Sequence, residues 1–593
     1  MAQQIQQRKQ SPVVYSSARE QGYTHLQASL LASRLDDQRI DLSNLSVHVS
    51  PSLSNLDSPM LLPDIAKAAS RIAEAIIEGQ TISIASDFDC DGATSHCVLV
   101  DALTNHFGVP RTRIKSFISH RMVEGYGITD ALVDRMMEQI PSQSLVITSD
   151  QGSTDEARIA RLKAAGVDTV VTDHHMIPAD GPPKSAVACV NPMREDSQYP
   201  DRAIAGCYVA WLTMCAVRRV LIEMGRLPKD APTLASSLDW VALGTTADCM
   251  DLAISRNNRA VIRYGLWLMN TRPRQCWKSL ASLASITDPF TSRDLAFQAA
   301  PRINARGRLS EAMTSAVFLM TDDPAESMEL LQLLDEENKK RRVIQDTMAA
   351  EGYDVAKAQF DEGMSAIVVF YPEGHSGVHG IVSSKYVEAF GRPVVCFSPK
   401  PNAPGKLSGS FRSVEGVHIR NALQLVADRN PGIFLAMGGH AGAAGASLDA
   451  HDLDRFSNAF RQAVREQLDP GLMAPRLMTD GALEEPPTVQ MLSEIAALEP
   501  FGRQFDAPTF SGEFTADTVK AVGDGRTLKL VFSDGRGHRY DAVWFRARED
   551  AQQPLPIAPG DRLMAAYTLK SNTFRGRTSA DMIIQRIFPL HAA

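Results

Sequence analysis

In the first half of the chain, short runs of β-branched residues alternate with amphipathic helical segments. The run TISIAS (81–86) precedes a helical segment at 96–108, and SLVITSD (144–150) precedes another at 155–166. The run VDTVVTDHH (167–175) follows as a third strand. Strands and helices that alternate across short turns predict βαβ units and a doubly wound parallel sheet. Ligands of such sheets bind beyond the carboxyl ends of the strands, so we expect the functional site there.

The chain has 593 residues, which is too long for a single hydrophobic core and therefore predicts several domains. The pattern of apolar and polar residues changes along the chain and indicates where these domains lie. Residues 324–350 lack glycine and internal proline and carry helical apolar spacing, which predicts a long connecting helix. From about residue 475, period-two alternation with GDG and SDGRG turns predicts a β-rich domain that forms a small barrel. We therefore predict five segments: an N-terminal extension at 1–60, an α/β domain at 61–323, the connecting helix at 324–360, a smaller α/β domain at 361–470 and the β-rich domain at 475–593.

Composition narrows the class of protein. A hydrophobic content of 44% and a charged content of 22% are ordinary for a soluble globular chain. No apolar run approaches the roughly 20 residues of a membrane span, and the N-terminus lacks a signal-peptide core, so we expect a cytoplasmic protein without a membrane partner. The eight cysteines include no CxxC pair, which argues against a zinc ribbon and a disulfide framework. Because the net charge is −8, a nucleic-acid partner would need local grooves and metal ions.

Three carboxylates, Asp87, Asp89 and Asp91, stand on alternate residues directly after the first strand. Like charges this close resist being ionised together unless a cation binds between them. The spacing fits the start of an EF-hand loop, but the twelfth position is Val98 and a strand precedes the motif, which excludes a calcium loop. A solvated acidic turn is the plain alternative, and the position at the end of a buried strand argues against it.

Similar polar residues follow the other strands. Asp150 ends the second strand, although an aspartate there is also a common helix cap. Asp173, His174 and His175 end the third, and because adjacent strand residues point to opposite sides, at most one histidine is expected as a primary metal ligand. Asp248 follows the apolar run WVALGTTA, which we interpret as a fourth strand. Carboxylates with one or two imidazoles suit Mn²⁺ or Mg²⁺, and bridging aspartates allow two ions about 4 Å apart, as in phosphoryl hydrolysis.

A phosphate-ester substrate needs cationic partners, and the chain offers several. Arg302, Arg306 and Arg308 stand around Asn304 in APRINARGRL. The proline, asparagine and glycine of this motif indicate a fixed loop, and the plain alternative is a helical turn with solvated arginines. Further candidates lie in three motifs: Arg121 in SHRMVEGYG, Ser410 and Arg412 in LSGSFRS, and Gly438, Gly439 and His440 in GGHAG. A serine or cysteine nucleophile lacks support, because there is no GxSxG motif and carboxylates flank Cys90.

In this order, the motifs DFDCDG, SDQG, TDHH and GTTADC resemble the four motifs of the DHH phosphoesterase superfamily. GGHAGAAG resembles the glycine-rich motif of the superfamily's second domain. More narrowly, the chain resembles the RecJ family of bacterial exonucleases specific for single-stranded DNA. The similarity runs from about residue 60 to 590 and includes HRMVEGYG, APRINARGRL and SGSFRSVEGVHIRNAL. The β-rich end is similar to the family's OB-fold, which separates the family from shorter relatives.

The resemblance implies a fold class: α/β, with a DHH-type doubly wound parallel sheet, a connecting helix, a smaller DHHA1-type α/β domain and a C-terminal OB-like barrel. It implies two Mn²⁺ or Mg²⁺ ions, held by Asp89, Asp91, Asp150, His174 and Asp248 with Asp87 alongside. It also implies that His175 faces the scissile phosphate, that Arg302 and Asn304 orient the substrate and that His440 closes the site from the second domain. It further implies a 5′-phosphate pocket formed by Arg121, Ser410 and Arg412. Apart from the resemblance, the charge of Arg308 and the bare amides of Gly438 and Gly439 make these residues candidates for binding the substrate phosphate. The OB-like domain would track the strand with Trp544, Phe545 and Phe574 beside Arg575 and Arg577, although these aromatic residues suit a core as well.

Three residues depart from the family pattern. Cys90 replaces an alanine, Gln151 replaces an asparagine and Phe411 replaces a glycine. Phe411 is expected either to crowd the 5′-phosphate pocket or to stack on the terminal base.

The expected function is that of a metal-dependent 5′–3′ exonuclease that hydrolyses single-stranded DNA in recombination and repair. The resemblance implies a monomer that works with a single-strand binding protein and a helicase. Two alternatives are a DHH phosphodiesterase acting on short RNA oligonucleotides or cyclic dinucleotides, and a non-catalytic scaffold of DHH descent. The long chain and OB-like domain argue against the first, and the complete set of ligand positions argues against the second.

Overall fold

The computed structural model describes residues 4–120, 124–309, 312–400, 403–468, 476–574 and 576–590. Arg121 and Arg575 lie outside the described residues, as do the side chains of Arg308, Phe574 and Arg577. The chain forms two compact units: one of residues 336–478 with the N-terminal residues to 6, and one of residues 7–335 and 479–593.

The N-terminal segment consists of short elements: β1 (Gln4–Gln7), α1 (Pro12–Glu20), α2 (His25–Ala32) and α3 (Ser46–Val49). Ser11 caps α1, and Pro12 occupies its first position, where no amide donor is needed. Thr24 and Gln27 form a capping box at α2. These local signals explain why helices form in a segment that hydrophobic patterning predicted only as an extension.

The predicted parallel sheet is present. Its strands are β2 (Ile82–Ser86), β3 (Ile114–Ile118), β4 (Leu145–Ser149), β5 (Asp168–Thr172) and β6 (Ala188–Val190). All neighbours pair in parallel, in the order β3-β2-β4-β5-β6. Ile84 and Ile147 pack on one face, and Ala85 and Val146 on the other. All five residues of β2 and of β4 are buried, because helices cover both faces of the sheet at these central strands.

Helices cover both faces of this sheet, as the doubly wound prediction requires. Their bounds are α4 (Ile65–Ile77), α5 (Cys90–Asp101), α6 (Asp130–Met137), α7 (Glu156–Ala164) and α8 (Gly206–Glu223). Helices α4, α5 and α8 pack on the face of the sheet that carries Ile84, whereas α6 and α7 pack on the opposite face, which carries Ala85. Helix α5 begins earlier than the predicted start at residue 96, directly inside the acidic motif.

A helical layer follows the sheet. Its members are α9 (Leu238–Ala247), α10 (Arg256–Thr271), α11 (Gln275–Ala284), α12 (Ser292–Asp294), α13 (Ala300–Leu309), α14 (Met313–Met320) and α15 (Pro324–Glu351). Helix α15 confirms the long helix predicted at 324–350. Helix α9 replaces the strand predicted before Asp248, because a short apolar run does not distinguish a buried helix from a buried strand.

The second α/β region contains a mixed five-stranded sheet. In chain order its elements are α16 (Tyr353–Asp361), β7 (Ile367–Phe370), α17 (His379–Phe390), β8 (Val394–Pro399), β9 (Lys406–Arg412), α18 (Ile419–Arg429), β10 (Ala436–Gly439), β11 (Ala443–Asp449) and α19 (Leu453–Arg465). The strand order is β10-β11-β9-β8-β7, and only β7 and β8 are parallel. Phe397, Phe411, Phe456 and Phe460 form the centre of its core.

The C-terminal part forms the predicted barrel. Its elements are β12 (Arg476–Thr479), α20 (Val489–Ala496), β13 (Phe510–Val522), β14 (Thr527–Ser533), β15 (Arg539–Trp544), β16 (Arg562–Phe574) and β17 (Arg577–Pro589). Strands β13-β14-β15-β17-β16 close into a barrel, and β1 pairs with β12 in a separate sheet. Phe514 fills the barrel interior, with ring centroids 5.5 Å from Phe532 and 5.1 Å from Tyr540.

One arginine ties three parts of the larger unit together. Arg259 of α10 is fully buried and donates to the carbonyl oxygens of Val49 (2.8 Å), Leu498 (2.8 Å) and Pro500 (3.1 Å). Its guanidinium lies 4.2 Å from the ring centroid of Phe505. The N-terminal segment and the segment before the barrel are therefore anchored on the same helix. No helix among the described residues is both long enough and apolar enough to cross a lipid bilayer.

Candidate metal centre

Three neighbouring strands end at the same level, and an aspartate follows each of them. The last residues of β2, β4 and β5 pair in register. Each aspartate amide continues the ladder: Asp87 N donates to Ser149 O (3.3 Å), Asp150 N to Thr172 O (3.0 Å) and Asp173 N to Val190 O (3.1 Å). Parallel pairing thus places three carboxylates at one edge of the sheet, where ligands of such folds bind.

The acidic motif after β2 turns directly into α5. Asp89 caps this helix, because its Oδ1 accepts from the amides of Asp91 (2.9 Å) and Gly92 (3.0 Å). Gly92 is required here, since a Cβ at this position would lie 2.2 Å from the carbonyl oxygen of Asp87. The alternate spacing therefore puts one aspartate at the strand end, one at the cap and one in the first helical turn, all near a helix N-terminus that attracts negative charge.

Asp91 reaches from α5 to the start of α8. Its Oδ2 accepts from the Gly206 amide at 2.7 Å, and its Oδ1 accepts from the Cys207 amide at 2.9 Å. Gly206 also packs closely against Asp150, because a Cβ added to the glycine would lie 2.7 Å from the aspartate Cβ. The N-terminus of α8 thus binds the carboxylate of Asp91 with two amides, and the missing side chain of Gly206 leaves space for Asp150.

His174 brings carboxylates from three elements together. Its Nε2 lies 3.1 Å from Asp150 Oδ1, 3.5 Å from Asp248 Oδ2 and 3.8 Å from Asp91 Oδ2. Asp248 stands at the C-terminal end of α9 rather than at the predicted strand end. The sequence interpretation was therefore wrong about the element, although the carboxylate still reaches the same cluster.

His175 has a different environment, although its ring centroid is only 4.6 Å from that of His174. Its Nδ1 lies 2.7 Å from Asp173 Oδ1, and its Nε2 lies 2.8 Å from the Tyr126 hydroxyl. Asp173 is buried and also accepts from the Ser153 amide at 3.0 Å. That at most one of the two histidines is a primary ligand stays a prediction.

Burial and mutual repulsion dominate the electrostatics of the cluster. Together they raise the pKa of Asp91 to about 6 and the pKa values of Asp150 and Asp248 well above the usual range. Burial alone would lower the pKa of His175, but the adjacent Asp173 raises it to about 9. Burial would likewise raise the pKa of Asp173, and the charge and hydrogen bond of His175 lower it instead. The pair therefore has the character of an imidazolium beside a carboxylate.

The donor set fits a divalent cation. Within each of three overlapping groups the ligand atoms lie within 4.8 Å of one another: Asp87, Asp89 and Asp150; Asp91, His174 and Asp248; and Asp150, His174 and His175. In the described part of the chain, no lysine or arginine forms an ion pair with Asp89, Asp91, Asp150 or Asp248. Buried carboxylates without such a counter-ion are unfavourable unless a metal binds them. Carboxylate oxygens with imidazole nitrogen suit Mn²⁺ and Mg²⁺, the ions that the sequence predicts.

The described candidates of APRINARGRL lie in α13: Arg302, Asn304 and Arg306. A fixed loop was predicted there, and the prediction was wrong: the backbone is helical from Ser292 through a π-helical turn (Leu295–Ala299) into α13. Pro301 lies just after that turn, where the regular i→i−4 pattern of hydrogen bonds is already interrupted. Arg302 Nε and Nη2 both lie 2.9 Å from Asp335 Oδ1. Asn304 Oδ1 accepts from the Cys90 amide at 2.8 Å, so α13 also holds the first turn of α5.

Ser410 and Arg412 share one face of β9, with Arg412 Nη1 3.5 Å from Ser410 Oγ. Phe411 lies on the opposite face and is fully buried, with ring centroids 5.9 Å from Phe397 and 5.4 Å from Phe460. Both expectations for Phe411, crowding the pocket and stacking on a base, are therefore wrong. The two-residue period of the strand sends this side chain into the core.

Gly438 and Gly439 end β10, and His440 begins the exposed turn to β11, where its amide donates to Ala443 O at 2.7 Å. Gly439 has a φ of 141°, and a Cβ there would lie 2.4 Å from Ala444 Cα, so the turn needs glycine. The roles of these three residues toward a substrate stay predictions.

The aromatic candidates of the barrel differ in exposure. Trp544 is half-buried and packs against the core, which favours the structural alternative for it. Phe545 is 59% exposed. Its role in stacking on a nucleic acid stays a prediction.

Sequence reasoning missed Tyr126, whose hydroxyl contacts His175, and Asp155, whose Oδ2 accepts from the Ile128 amide at 3.0 Å. The tyrosine lies in EGYG, where two glycines flank an aromatic residue. That pattern is typical of a turn that presents one side chain, and it was the available signal.

Three family models match the chain: the DHH family, N-terminal domain, over residues 81–245; the DHHA1 domain over 363–466; and the RecJ OB domain over 482–586. The parallel sheet with its acidic edge, the mixed sheet and the barrel lie in these three matches in turn. Fold and site thus define a DHH-type protein with a DHHA1 domain and an OB domain.

Known proteins identify the family more narrowly. The single-stranded-DNA-specific exonuclease RecJ of Salmonella typhimurium is 33% identical over 543 residues, 89% of this chain and 91% of the relative. RecJ of Escherichia coli is 33% identical over 544 residues, with the same coverage. The crystal structure of RecJ in complex with Mn²⁺ from Thermus thermophilus is similar with a TM-score of 0.76 and 25% identity, covering 99% of this chain and 80% of that one. The chain belongs to the RecJ family.

Proposed function

We propose that this protein is a metal-dependent exonuclease that hydrolyses the phosphodiester bonds of single-stranded DNA, in recombination and repair. The observation that carries the proposal is the cluster of buried Asp91 and Asp150 with partly exposed Asp248 around His174, which has the donor set of a divalent metal site. The relatives support the substrate, because they are named single-stranded-DNA-specific exonucleases, and one of them was crystallised with Mn²⁺.

The proposed cofactors are two Mn²⁺ or Mg²⁺ ions, held by Asp89, Asp91, Asp150, His174 and Asp248, with Asp87 at the edge of the cluster. The ligand groups overlap at Asp150 and His174, which is why two neighbouring ions are proposed rather than one. Bound divalent ions would acidify a coordinated water and stabilise negative charge on the phosphate oxygens.

Residues of the chain are proposed to orient the catalytic imidazole and the substrate. Asp173 would hold Nδ1 of His175, and the imidazole of this histidine is proposed to face the scissile phosphate. Arg302 and Asn304 are proposed to orient the substrate from α13, a helix whose contacts with Asp335 and Cys90 hold it in place.

The direction of hydrolysis is proposed to be 5′ to 3′. Ser410 and Arg412 support it, because a hydroxyl and a guanidinium on one face of β9 suit a terminal phosphate. Further substrate contacts are proposed for Arg121, Arg308, Gly438 and Gly439, with His440 closing the site.

We propose a cytoplasmic monomer that works with a single-strand binding protein and a helicase. The proposed domains are the extension 1–60, the catalytic domain 61–323, the connecting helix 324–360, the substrate-binding domain 361–470 and the nucleic-acid-binding domain 475–593.

A panel of end-labelled DNAs tests this function. Purified protein with Mn²⁺ is given single strands and duplexes of one sequence, labelled at the 5′ or the 3′ end, and an RNA strand of the same sequence. We expect the wild-type protein to release nucleotides from the 5′ end of single-stranded DNA and Asp150→Ala to release none. Asp134→Asn is the control, because Asp134 is an exposed aspartate of α6 that pairs with Arg161 and belongs to none of the three ligand groups.

The same panel separates the alternatives. Equal cutting of duplex, or full activity of Asp150→Ala, contradicts the proposed exonuclease. Preference for the RNA strand favours the oligoribonuclease alternative, and binding without hydrolysis favours the scaffold. Arg412→Ala tests the direction: it should slow hydrolysis of 5′-phosphorylated strands more than that of strands with a 5′ hydroxyl. An equal effect on the two kinds of strand would contradict the proposed contact between Arg412 and a 5′ phosphate.

A further inference from the structure

Tyr126 lies next to the acidic cluster on a tightly built turn. Gly125 and Gly127 flank it with φ values of 93° and 78°, conformations that favour glycine. Asp155 lies beneath the turn: its Oδ2 accepts from the Ile128 amide at 3.0 Å and would be 3.2 Å from a Cβ at residue 127. These contacts restrict the path of the backbone and therefore the direction in which the tyrosine projects.

The Tyr126 hydroxyl contacts one nitrogen of His175. The oxygen lies 2.8 Å from Nε2, and the two rings meet edge to face with centroids 5.7 Å apart. Phe88, inside the acidic motif, makes a second edge contact with the tyrosine ring at 6.4 Å. The other nitrogen, Nδ1, lies 2.7 Å from Asp173 Oδ1. The imidazole is thus held at both of its nitrogens.

Asp173 is a rigid partner for one side of this imidazole. It is 1% exposed and accepts from the amides of Ser153 (3.0 Å) and His174 (2.7 Å). A hydrogen bond at Nδ1 alone would let the ring of His175 swing about that contact, whereas a second bond at Nε2 removes this freedom. A tyrosine hydroxyl both donates and accepts, so the second bond persists whether or not the imidazole is protonated.

We infer that Tyr126 is a positioning residue for His175 and affects hydrolysis through the orientation of that imidazole. The inference rests on the proposed function, in which His175 faces the scissile phosphate. Because orientation matters at the transition state, loss of the hydroxyl lowers kcat, while substrate binding and Mn²⁺ binding stay the same.

Tyr126→Phe removes the hydroxyl and keeps the ring. The chain supplies a matched control: Tyr15 makes a similar bond to His25, with its hydroxyl 2.7 Å from Nδ1 and ring centroids 5.8 Å apart. On single-stranded DNA with Mn²⁺, Tyr126→Phe is expected to lower kcat about tenfold and to change KM less than about twofold. Tyr15→Phe is expected to change neither. In a His175→Ala background, Tyr126→Phe should have no further effect, because the hydrogen-bonding partner of the hydroxyl is gone.

A second readout needs no activity. In metal-free protein labelled with ¹³C at histidine Cε1, relaxation of the His175 signal should report a more mobile ring in Tyr126→Phe and an unchanged ring in Tyr15→Phe. Inactive wild-type protein would refute the proposed function, whereas this measurement still tests the contact. The inference is overturned by an unchanged kcat or by a rise in KM alone. It is also overturned by an equal fall of kcat in the His175→Ala background, or by an unchanged ring mobility.

Discussion

Replacing Asp150 by asparagine is expected to stabilise the metal-free protein and to abolish its stabilisation by Mn²⁺. Asp150 is 2% exposed and has a φ of 60°, a left-handed conformation that asparagine also tolerates. Asparagine has nearly the same shape as aspartate, so it fits beside Gly206, where even a Cβ on the glycine would lie 2.7 Å from the Asp150 Cβ. The substitution therefore removes a charge without a steric change.

The expected size of this effect follows from the repulsion in the cluster. The ligand oxygens of Asp87, Asp89 and Asp150 lie within 4.8 Å of one another. At that distance two unit charges repel by about 3.5 kcal/mol at an effective dielectric constant of about 20. Since proton uptake relieves part of this repulsion, we expect Asp150→Asn to add about 2 to 4 kcal/mol to the free energy of unfolding at pH 8.

The effect should depend on pH with a definite sign. Burial and the neighbouring carboxylates raise the folded-state pKa of Asp150 above its unfolded value. The wild type therefore loses stability as the pH rises through the folded-state pKa, and asparagine does not. The advantage of Asp150→Asn should disappear near pH 4, where the carboxyl of the folded wild type is protonated.

Urea unfolding followed by circular dichroism, in EDTA at pH 8 and pH 4 and then with excess Mn²⁺, measures these changes. Asp134→Asn loses only an exposed ion pair with Arg161, so it should stay within about 1 kcal/mol of the wild type in every condition. Lower stability of Asp150→Asn in EDTA at pH 8 would refute the reasoning, as would equal stabilisation of wild type and variant by Mn²⁺.

Three further predictions concern the same framework. Asn304→Ala removes the acceptor of the Cys90 amide in the first turn of α5, so it should weaken Mn²⁺ binding about tenfold. Isothermal titration calorimetry measures this affinity, and unchanged binding would contradict the prediction. The Mn²⁺ affinity of the wild type should rise with pH through about 6, the pKa of Asp91, because binding displaces its proton; an affinity independent of pH contradicts this. Arg259→Met leaves buried carbonyl oxygens without donors and should lower the free energy of unfolding by about 3 kcal/mol or more, and a loss below about 1 kcal/mol argues against the anchoring role.

The central part of the site was predictable from the sequence because it depends on topology. A buried parallel strand followed by a polar residue identifies the carboxyl edge of the sheet, and Asp87, Asp150 and Asp173 all follow such strands. Register then brings them together without information about side chains. The alternate spacing of the acidic motif was also informative, although its reason, a strand end followed by a capped helix, became visible only in the structure.

The incorrect predictions concern elements whose local pattern is ambiguous. The apolar run before Asp248 is a helix, because a run of this length suits a buried strand and a buried helix equally. The motif around Arg302 is also helical, since its proline follows a π-helical turn (Leu295–Ala299) that interrupts the regular helical hydrogen bonding. Phe411 was assigned to a pocket by its position in a motif, whereas strand alternation turns it into the core. Tyr126 was missed because its contact with His175 joins separate loops.

Anomalous scattering at the manganese edge, from crystals grown with Mn²⁺, tests the central claim most directly. The account predicts two peaks among Asp89, Asp91, Asp150, His174 and Asp248 in the wild type, and loss of at least one of them in Asp150→Asn. Wild-type crystals without a peak at this cluster, or with Mn²⁺ bound only elsewhere, would contradict the assignment of these residues as the metal centre.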